Sequence, residues 1–361
     1  MVPDNVFFRA DASLEIGSGH VMRCLALAVA LEKKGIKIFF LSRPHEGNLI
    51  SFVRDKGFSV VELGLPKENT PTTNGYEQWL GASSRADAME SLELLADIQG
   101  TVWMVTDHYG IGDSWEKAIR KRVDKVVSLD DLANRKHDCD VLIDSSFERK
   151  AADYEGLVAE GTRILTGTKY CLLRSEFGQT RQKAVQRTFE LPLNRILVTL
   201  GGVDIHNITK LVISELDQSN IPDNTHLDVV IGPASPHADA LQTRANQSRL
   251  RVDINQGVNN MAERLMLADL CIGAVGSSVW ERCCLGCPSL VATIAANQAE
   301  GTRKLESSGV VVSFSPLVPG ELKRVVDAID VPTLKMLSVN GFSLVDGLGT
   351  ERIVRVLLGQ E

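Results

Sequence analysis

Short β-branched and aromatic runs alternate with amphipathic stretches from one end of the chain to the other, the pattern that builds parallel sheets covered by helices on both faces. Val6-Phe7-Phe8 opens a strand, residues 21–34 read as a helix closed by Gly35, 36–41 as a second strand and 48–56 as a helix closed by Gly57. A Pro-, Thr- and Asn-rich loop at 66–75 leads to a helix through Leu92, Leu94 and Leu95, then to strands at 102–106, 125–129 and 140–143. A polar helix at 175–187 precedes a second βα series. There, strand 195–200 ends in Gly201-Gly202, 227–231 in Gly232-Pro233, and 270–272 in Gly273-Ala274-Val275-Gly276. Ligands of open α/β sheets bind outside the carboxyl ends of the strands, so three glycine turns in one half mark a ligand edge. An amphipathic helix at 351–358 closes the chain. The fold class is α/β, with an expected N-terminal domain at 1–188 and a C-terminal domain at 189–361.

Composition supports two cores, since 361 residues at roughly 150 per domain suit two domains. With 44% hydrophobic and 24% charged residues the chain is too apolar for intrinsic disorder. A net charge of −7 supplies no cationic field for nucleic acid or anionic lipid, so neither is an expected partner. No apolar run approaches the ~20 residues that span a bilayer, and Met1-Val2-Pro3-Asp4-Asn5 lacks the basic and apolar regions of a signal peptide. A soluble, cytoplasmic protein is the expectation. The seven cysteines, Cys24, Cys139, Cys171, Cys271, Cys283, Cys284 and Cys287, have no framework spacing and read as buried free thiols. Cys284 and Cys287 lack the second pair that a zinc site needs.

Three segments carry candidate chemistry. Gly17-Ser18-Gly19-His20 joins strand 1 to helix 1, with Arg9 and Asp11 just upstream. Glycines let backbone approach a ligand there, and the helix start presents N–H groups to negative charge. The dinucleotide fingerprint is absent, because His20-Val21-Met22 follows Gly19 with no third glycine in register. His20 is either a general base at a ligand-facing helix start or a capping or surface histidine. In Thr106-Asp107-His108-Tyr109-Gly110 a buried strand runs out into polar residues. Asp107 there can orient a base, bind sugar hydroxyls or simply cap the next helix, and Tyr109 can stack on a substrate. Gly276-Ser277-Ser278-Val279-Trp280-Glu281 opens a helix after a strand; it suits a diphosphate with Glu281 toward ribose hydroxyls, or forms a plain capping box. Asp138-Cys139-Asp140 has the form of a metal-binding DxD but reads as a turn before a strand.

Together, Arg9-Ala10-Asp11-Ala12-Ser13 and Gly17-Ser18-Gly19-His20-Val21-Met22-Arg23-Cys24-Leu25 resemble the amino-terminal signature of the PseG family, the UDP-sugar hydrolases of pseudaminic acid biosynthesis. His45-Glu46-Gly47-Asn48-Leu49-Ile50, Asp107-His108-Tyr109-Gly110, Leu172-Leu173-Arg174-Ser175-Glu176-Phe177, Gly201-Gly202-Val203-Asp204 and the stretch from Trp280 to Asn297-Gln298 continue the resemblance in order. It implies a GT-B architecture, two Rossmann-like domains facing a cleft. It also implies metal-independent hydrolysis of UDP-2,4-diacetamido-2,4,6-trideoxy-β-L-altropyranose to UDP and free sugar, without a cofactor. The sugar then serves pseudaminic acid synthesis for flagellin or surface polysaccharide. His20 takes the position of the general base that activates water for inverting attack at the anomeric carbon. Gly201, Gly202, Gly232, Gly276, Ser277, Ser278 and Glu281 would hold UDP. Tyr109, Arg174, Asn297 and Gln298 would face sugar or diphosphate, with Arg9, Asp11, Gly17, Gly19 and Asp107 completing the substrate contacts.

Two departures stand out: Ser145-Ser146 occupy a Gln-Asn position of the family, and Gly167-Thr168 a Gly-Pro position. Both bear on which sugar is read. The rivals are a GT-B glycosyltransferase using the same UDP-sugar donor and a non-catalytic nucleotide-sugar sensor.

Overall fold

The computed structural model describes residues 2–65, 75–233, 235–293 and 299–360. The chain forms two compact units, Met1–Leu172 with Leu348–Glu361, and Leu173–Gly347.

The first unit is built on a seven-stranded parallel sheet of β1 (Asn5–Ala10), β2 (Lys37–Ser42), β3 (Ser59–Glu62), β4 (Val102–Asp107), β5 (Lys125–Leu129), β6 (Val141–Asp144) and β7 (Arg163–Thr166), in the order β3-β2-β1-β4-β5-β6-β7. β1 and β4 are buried along their whole length, as a parallel sheet covered on both faces requires. Successive side chains leave opposite faces of a strand. Phe8 accordingly packs under α1 (Gly19–Glu32) with Cys24, Leu27 and Leu31, while Phe7 joins Met104, Leu95 and Trp115 on the other face. α2 (Ile50–Asp55), α3 (Ser84–Leu95) and α4 (Asp113–Ile119) complete the cover. Gly35 and Gly57 end the first two helices with φ of 81° and 92°, the left-handed conformation that glycine reaches without strain.

The second unit opens with α5 (Ser175–Ala184). Its six-stranded parallel sheet comprises β8 (Arg195–Thr199), β9 (His226–Ile231), β10 (Arg251–Gln256), β11 (Leu270–Ala274), β12 (Ser289–Ala292) and β13 (Val312–Phe314), in the order β10-β9-β8-β11-β12-β13. Helices α6 (Ile208–Asp217), α7 (Ala238–Asn246), α8 (Met261–Leu267), α9 (Ser278–Cys284), α10 (Ala299–Ser307), α11 (Glu321–Asp327) and α12 (Val331–Leu344) surround it. α13 (Gly349–Leu358) then returns to the first unit.

The unit boundary therefore differs from the expected division at 188/189 in two respects. Residues 173–188 belong to the second unit, because Arg181 donates to the carbonyls of Cys284 and Phe342 at 2.7 and 2.8 Å, and Arg187 to those of Ala268 and Leu265 at 2.5 and 2.6 Å. Residues 348–361 belong to the first, because α13 lays Ile353, Val354, Leu357 and Leu358 into the core beside α1. Each such side chain contributes about 1.5–3 kcal/mol of apolar burial. The approach is close enough that a Cβ at Gly349 would stand 2.3 Å from the Cys171 carbonyl.

Strand order reverses between β1 and β4 in one sheet and between β8 and β11 in the other. Loops diverge at such points, leaving a crevice at the carboxyl ends of the strands.

Candidate functional site

At the first reversal, the loop after β1 turns through Gly17, at φ 77°, and Gly19 opens α1. This sets His20 on the first helical turn, buried, where its Nδ1 lies 2.5 Å from Oδ1 of Asp107 at the end of β4. Arg23, one turn further along the same face of α1, brackets that carboxylate, with Nε 2.5 Å from Oδ2 and NH2 2.6 Å from Oδ1. Its NH1 donates to Asp131 at 2.9 Å. Burial alone would raise the Asp107 carboxyl, but the charges and hydrogen bonds of Arg23 and then His20 outweigh it and hold the group well below its ordinary range. An ionised carboxylate only accepts, so His20 Nδ1 carries a proton, and in the neutral imidazole the lone pair then lies on Nε2. The helix-capping alternatives are not built: the start of α1 has no side-chain cap, and Asp107 is spent on His20 and Arg23.

Tyr109 stands edge-on to the imidazole, centroids 4.6 Å apart at 85°. Tyr76 and Trp79 pack on Tyr109 at 5.1 and 5.6 Å, the latter stacked, so a half-buried aromatic face adjoins His20. Burial, then Asp131, pushes the Tyr109 hydroxyl up, keeping it a neutral donor.

Arg9 and Asp11 lie beneath this loop with no exposed side-chain surface. Arg9 forks onto Asp87 at 3.0 and 2.7 Å and pairs with Asp11 at 2.7 Å. Asp11 also accepts from the Arg43 amide at 2.7 Å, and its second oxygen lies 3.6 Å from Nε2 of both His45 and His108. His108 is pushed down to about 3 by burial, and its Nδ1 accepts from the Gly110 amide at 2.9 Å. Expected as substrate contacts, Arg9 and Asp11 are fully buried and brace the loop, Arg9 through Asp87 and Asp11, while Oδ2 of Asp11 has no hydrogen-bond partner among the described residues.

At the second reversal, Gly201 takes φ 99° after β8. Gly232 is required by a close approach, since a Cβ there would sit 1.9 Å from the Gly202 carbonyl oxygen. Gly276 and Ser277 are exposed after β11 and Ser278 is half-buried. The capping-box alternative is not formed here either: Ser277 makes no side-chain cap, and Glu281 lies 3.5 Å from Arg174 NH2. Burial raises the Glu281 carboxyl, with Arg174 and Arg282 opposing. Asn297 and Gln298 lie outside the described residues.

Asp138 and Asp140 of the DxD both pair with Arg120, at 2.9 and 3.2 Å, which makes the motif a clasp between α4 and β6. Ser146 donates its amide to Asp144 at 2.8 Å, folding the departing loop back on its own strand. All seven cysteines are buried and none is in a disulfide.

No protein-family model matches the chain. It is 30% identical over 252 residues to the UDP-2,4-diacetamido-2,4,6-trideoxy-β-L-altropyranose hydrolase of Campylobacter jejuni, across 69% of this chain and 78% of that protein. The chain belongs to the PseG family. A second relative, the spore coat polysaccharide biosynthesis protein SpsG of Bacillus subtilis, is 27% identical over 96% of both chains. Among solved structures, this PseG-family fold is similar to Acinetobacter baumannii MurG (TM-score 0.64, 16% identity, 99% of this chain and 100% of that one). It is also similar to the calicheamicin glycosyltransferase (TM-score 0.63, 15% identity, 100% and 98%). Those likenesses establish a fold of the GT-B kind, two parallel α/β units.

Sequence alone left Arg23, Asp131, Tyr76 and Trp79 without a role. Arg23 was within reach, being three residues after His20 on a helix. Tyr76 and Trp79 follow a Pro-, Thr- and Asn-rich stretch of sequence in which no periodicity reports what a side chain meets.

Proposed function

We propose that this PseG-family protein hydrolyses a UDP-activated 2,4-diacetamido-2,4,6-trideoxy sugar to UDP and free sugar. Family and fold support an enzyme acting on UDP-sugars; the buried His20–Asp107–Arg23 arrangement is the observation that favours hydrolysis by a histidine base. Nε2 of His20 takes a proton from water as the water oxygen bonds to the anomeric carbon and the bond from that carbon to the UDP oxygen breaks. A single displacement inverts the centre. Asp107, kept ionised by Arg23, fixes the imidazole tautomer and stabilises the imidazolium that forms. UDP leaves as an anion and needs stabilised charge more than a proton, so no second acid is invoked.

In this reading the aromatic face of Tyr109, Tyr76 and Trp79 takes the apolar side of the deoxy sugar. Gly201, Gly202, Gly232, Gly276, Ser277 and Ser278 hold the nucleotide diphosphate and Glu281 the ribose hydroxyls, with Arg174, Asn297 and Gln298 toward diphosphate or sugar. Gly232 acts through the tight approach it permits to Gly202. Incubating the full chain with a panel of UDP-sugars tests this: UDP should appear with the diacetamido-trideoxy sugar and no acceptor. Turnover only on adding an acceptor alcohol would favour the glycosyltransferase reading instead.

A further inference from the structure

Three arginines are among the largest fully buried side chains: Arg9, Arg43 and Arg282. Two are neutralised by carboxylates, Arg9 by Asp11 and Asp87, Arg43 by Asp87 and Glu90. Arg282 is not. Only 1% exposed on α9, it donates NH2 to the Ala274 carbonyl at 2.8 Å and NH1 to the Ser278 hydroxyl oxygen at 3.3 Å. Its Nε has no partner, and no carboxylate pairs with it, among the described residues. The undescribed stretch 294–298 contains no acidic residue.

Nearby thiols cannot balance the charge. Burial raises Cys271 and Cys283 to about 12 and also raises Cys287, against the opposing pull of Arg282, so all three stay protonated at neutral pH. Glu281, adjacent in sequence, attracts Arg282 through space but makes its ion pair with Arg174. A guanidinium keeps its proton inside a protein, and a buried cation without a directly paired counter-ion is costly. The fold nevertheless makes room for it: a Cβ at Gly273 would stand 2.4 Å from NH1 and 3.0 Å from Cζ of Arg282. The cation is thus set under the 274–278 loop, at the reversal between β8 and β11.

We infer that Arg282 is a positioning residue whose charge, free of any direct ion pair, is held for an anion at the 274–278 loop, the diphosphate of the nucleotide. It does not touch that anion. Its N–H occupies a lone pair of Ser278 Oγ, leaving the serine O–H as a polarised donor toward the ligand. Its grip on the Ala274 carbonyl holds the loop in place. The inference rests on the nucleotide role proposed above for this loop.

Calorimetry on the full chain tests it with UDP, uridine and inorganic pyrophosphate as separate probes. Arg282→Met, which keeps an unbranched stem but removes the charge, should weaken UDP and pyrophosphate at least tenfold and leave uridine within about twofold. Arg282→Lys should recover most of the UDP affinity. Equal losses for UDP and uridine would reduce Arg282 to a structural tie, and unchanged UDP affinity would refute the inference outright. Should Arg282→Met fail to fold, Gly273→Ala keeps the charge but displaces the guanidinium; it should give the same split between UDP and uridine, and UDP binding at the native level would overturn the proposal. The two readings fail separately. A native protein that binds UDP and pyrophosphate, with the Arg282 split, yet releases UDP from no UDP-sugar would defeat the hydrolase reading alone. Full turnover and UDP affinity in Arg282→Met would defeat only the inference about Arg282.

Discussion

His20 reaches across from α1 to the end of β4 so that its Nδ1 lies 2.5 Å from Asp107, and Arg23, on the same helix, occupies both oxygens of that carboxylate. The carboxylate is thereby kept charged in a buried site, and the imidazole has one tautomer and one orientation.

If Nε2 is the base, His20→Asn should lower kcat by about 10²-fold or more while UDP affinity stays within about twofold by calorimetry. Loss of UDP binding would assign His20 to structure. Native turnover would support a sensor or another base.

Asp107→Asn should act on both activity and stability. The amide no longer fixes the Nδ1–H tautomer, and Arg23 keeps only Asp131 as counter-ion. A fall in kcat of about 10²-fold or more together with a lower melting temperature is expected, since removing one partner of a buried pair costs about 3–5 kcal/mol. A variant as stable and as active as the native protein would contradict the arrangement.

Much of the fold was legible because its central strands announce themselves. Val6-Phe7-Phe8 and residues 102–106 are buried on both faces and read as continuous apolar runs, as does 270–272. The elements that escaped notice are short or lie toward sheet edges. β3 and β10, with exposed positions along them, carry Glu62 and Asp253 and so imitate loops. α13 was visible as an amphipathic helix, but a hydrophobic face does not say which core it enters; proximity in sequence suggested the second unit, whereas Leu357 and Ile353 pack with α1. For the site, glycine turns pointed to the sheet edges, and the family resemblance singled out His20. What was not legible is partner choice. Nothing in the segment 9–13 says that Arg9 is committed to Asp87, 78 residues away.

That packing makes α13 indispensable to the first unit. A chain ending at residue 347 should lose cooperative unfolding of the first unit, because four buried apolar side chains worth about 1.5–3 kcal/mol each are removed. Thermal denaturation checks this: two intact transitions in the truncated chain would contradict it.

Stability should also depend on pH with a defined sign. Folding lowers the carboxyls of Asp11, Asp87 and Asp107, with Asp130 at about 2, where arginine and histidine partners outweigh burial; burial lowers His108 to about 3. The unfolded chain therefore binds more protons, first at His108 below its ordinary value of about 6.5 and then at the carboxyls below about 4. Asp144 and Glu281, both raised by burial, oppose this near and just above pH 4 as two groups against four. At the alkaline end, buried Cys271 and Cys283, raised to about 12, lose their contribution once unfolded thiols ionise above about 8.5. Melting temperature should be highest between about pH 6.5 and 8.5, fall gently to pH 4.5 and steeply below it. A flat profile from pH 7 to 3 would contradict the assignment.

The central claim, water attack at the sugar carbon assisted by His20, is tested most directly by turnover of the UDP-activated diacetamido-trideoxy sugar in ¹⁸O-water, with mass spectrometry of both products. The account predicts one ¹⁸O on the anomeric hydroxyl of the released sugar and none on UDP. Label on the β-phosphate of UDP would mean attack at phosphorus and would contradict it.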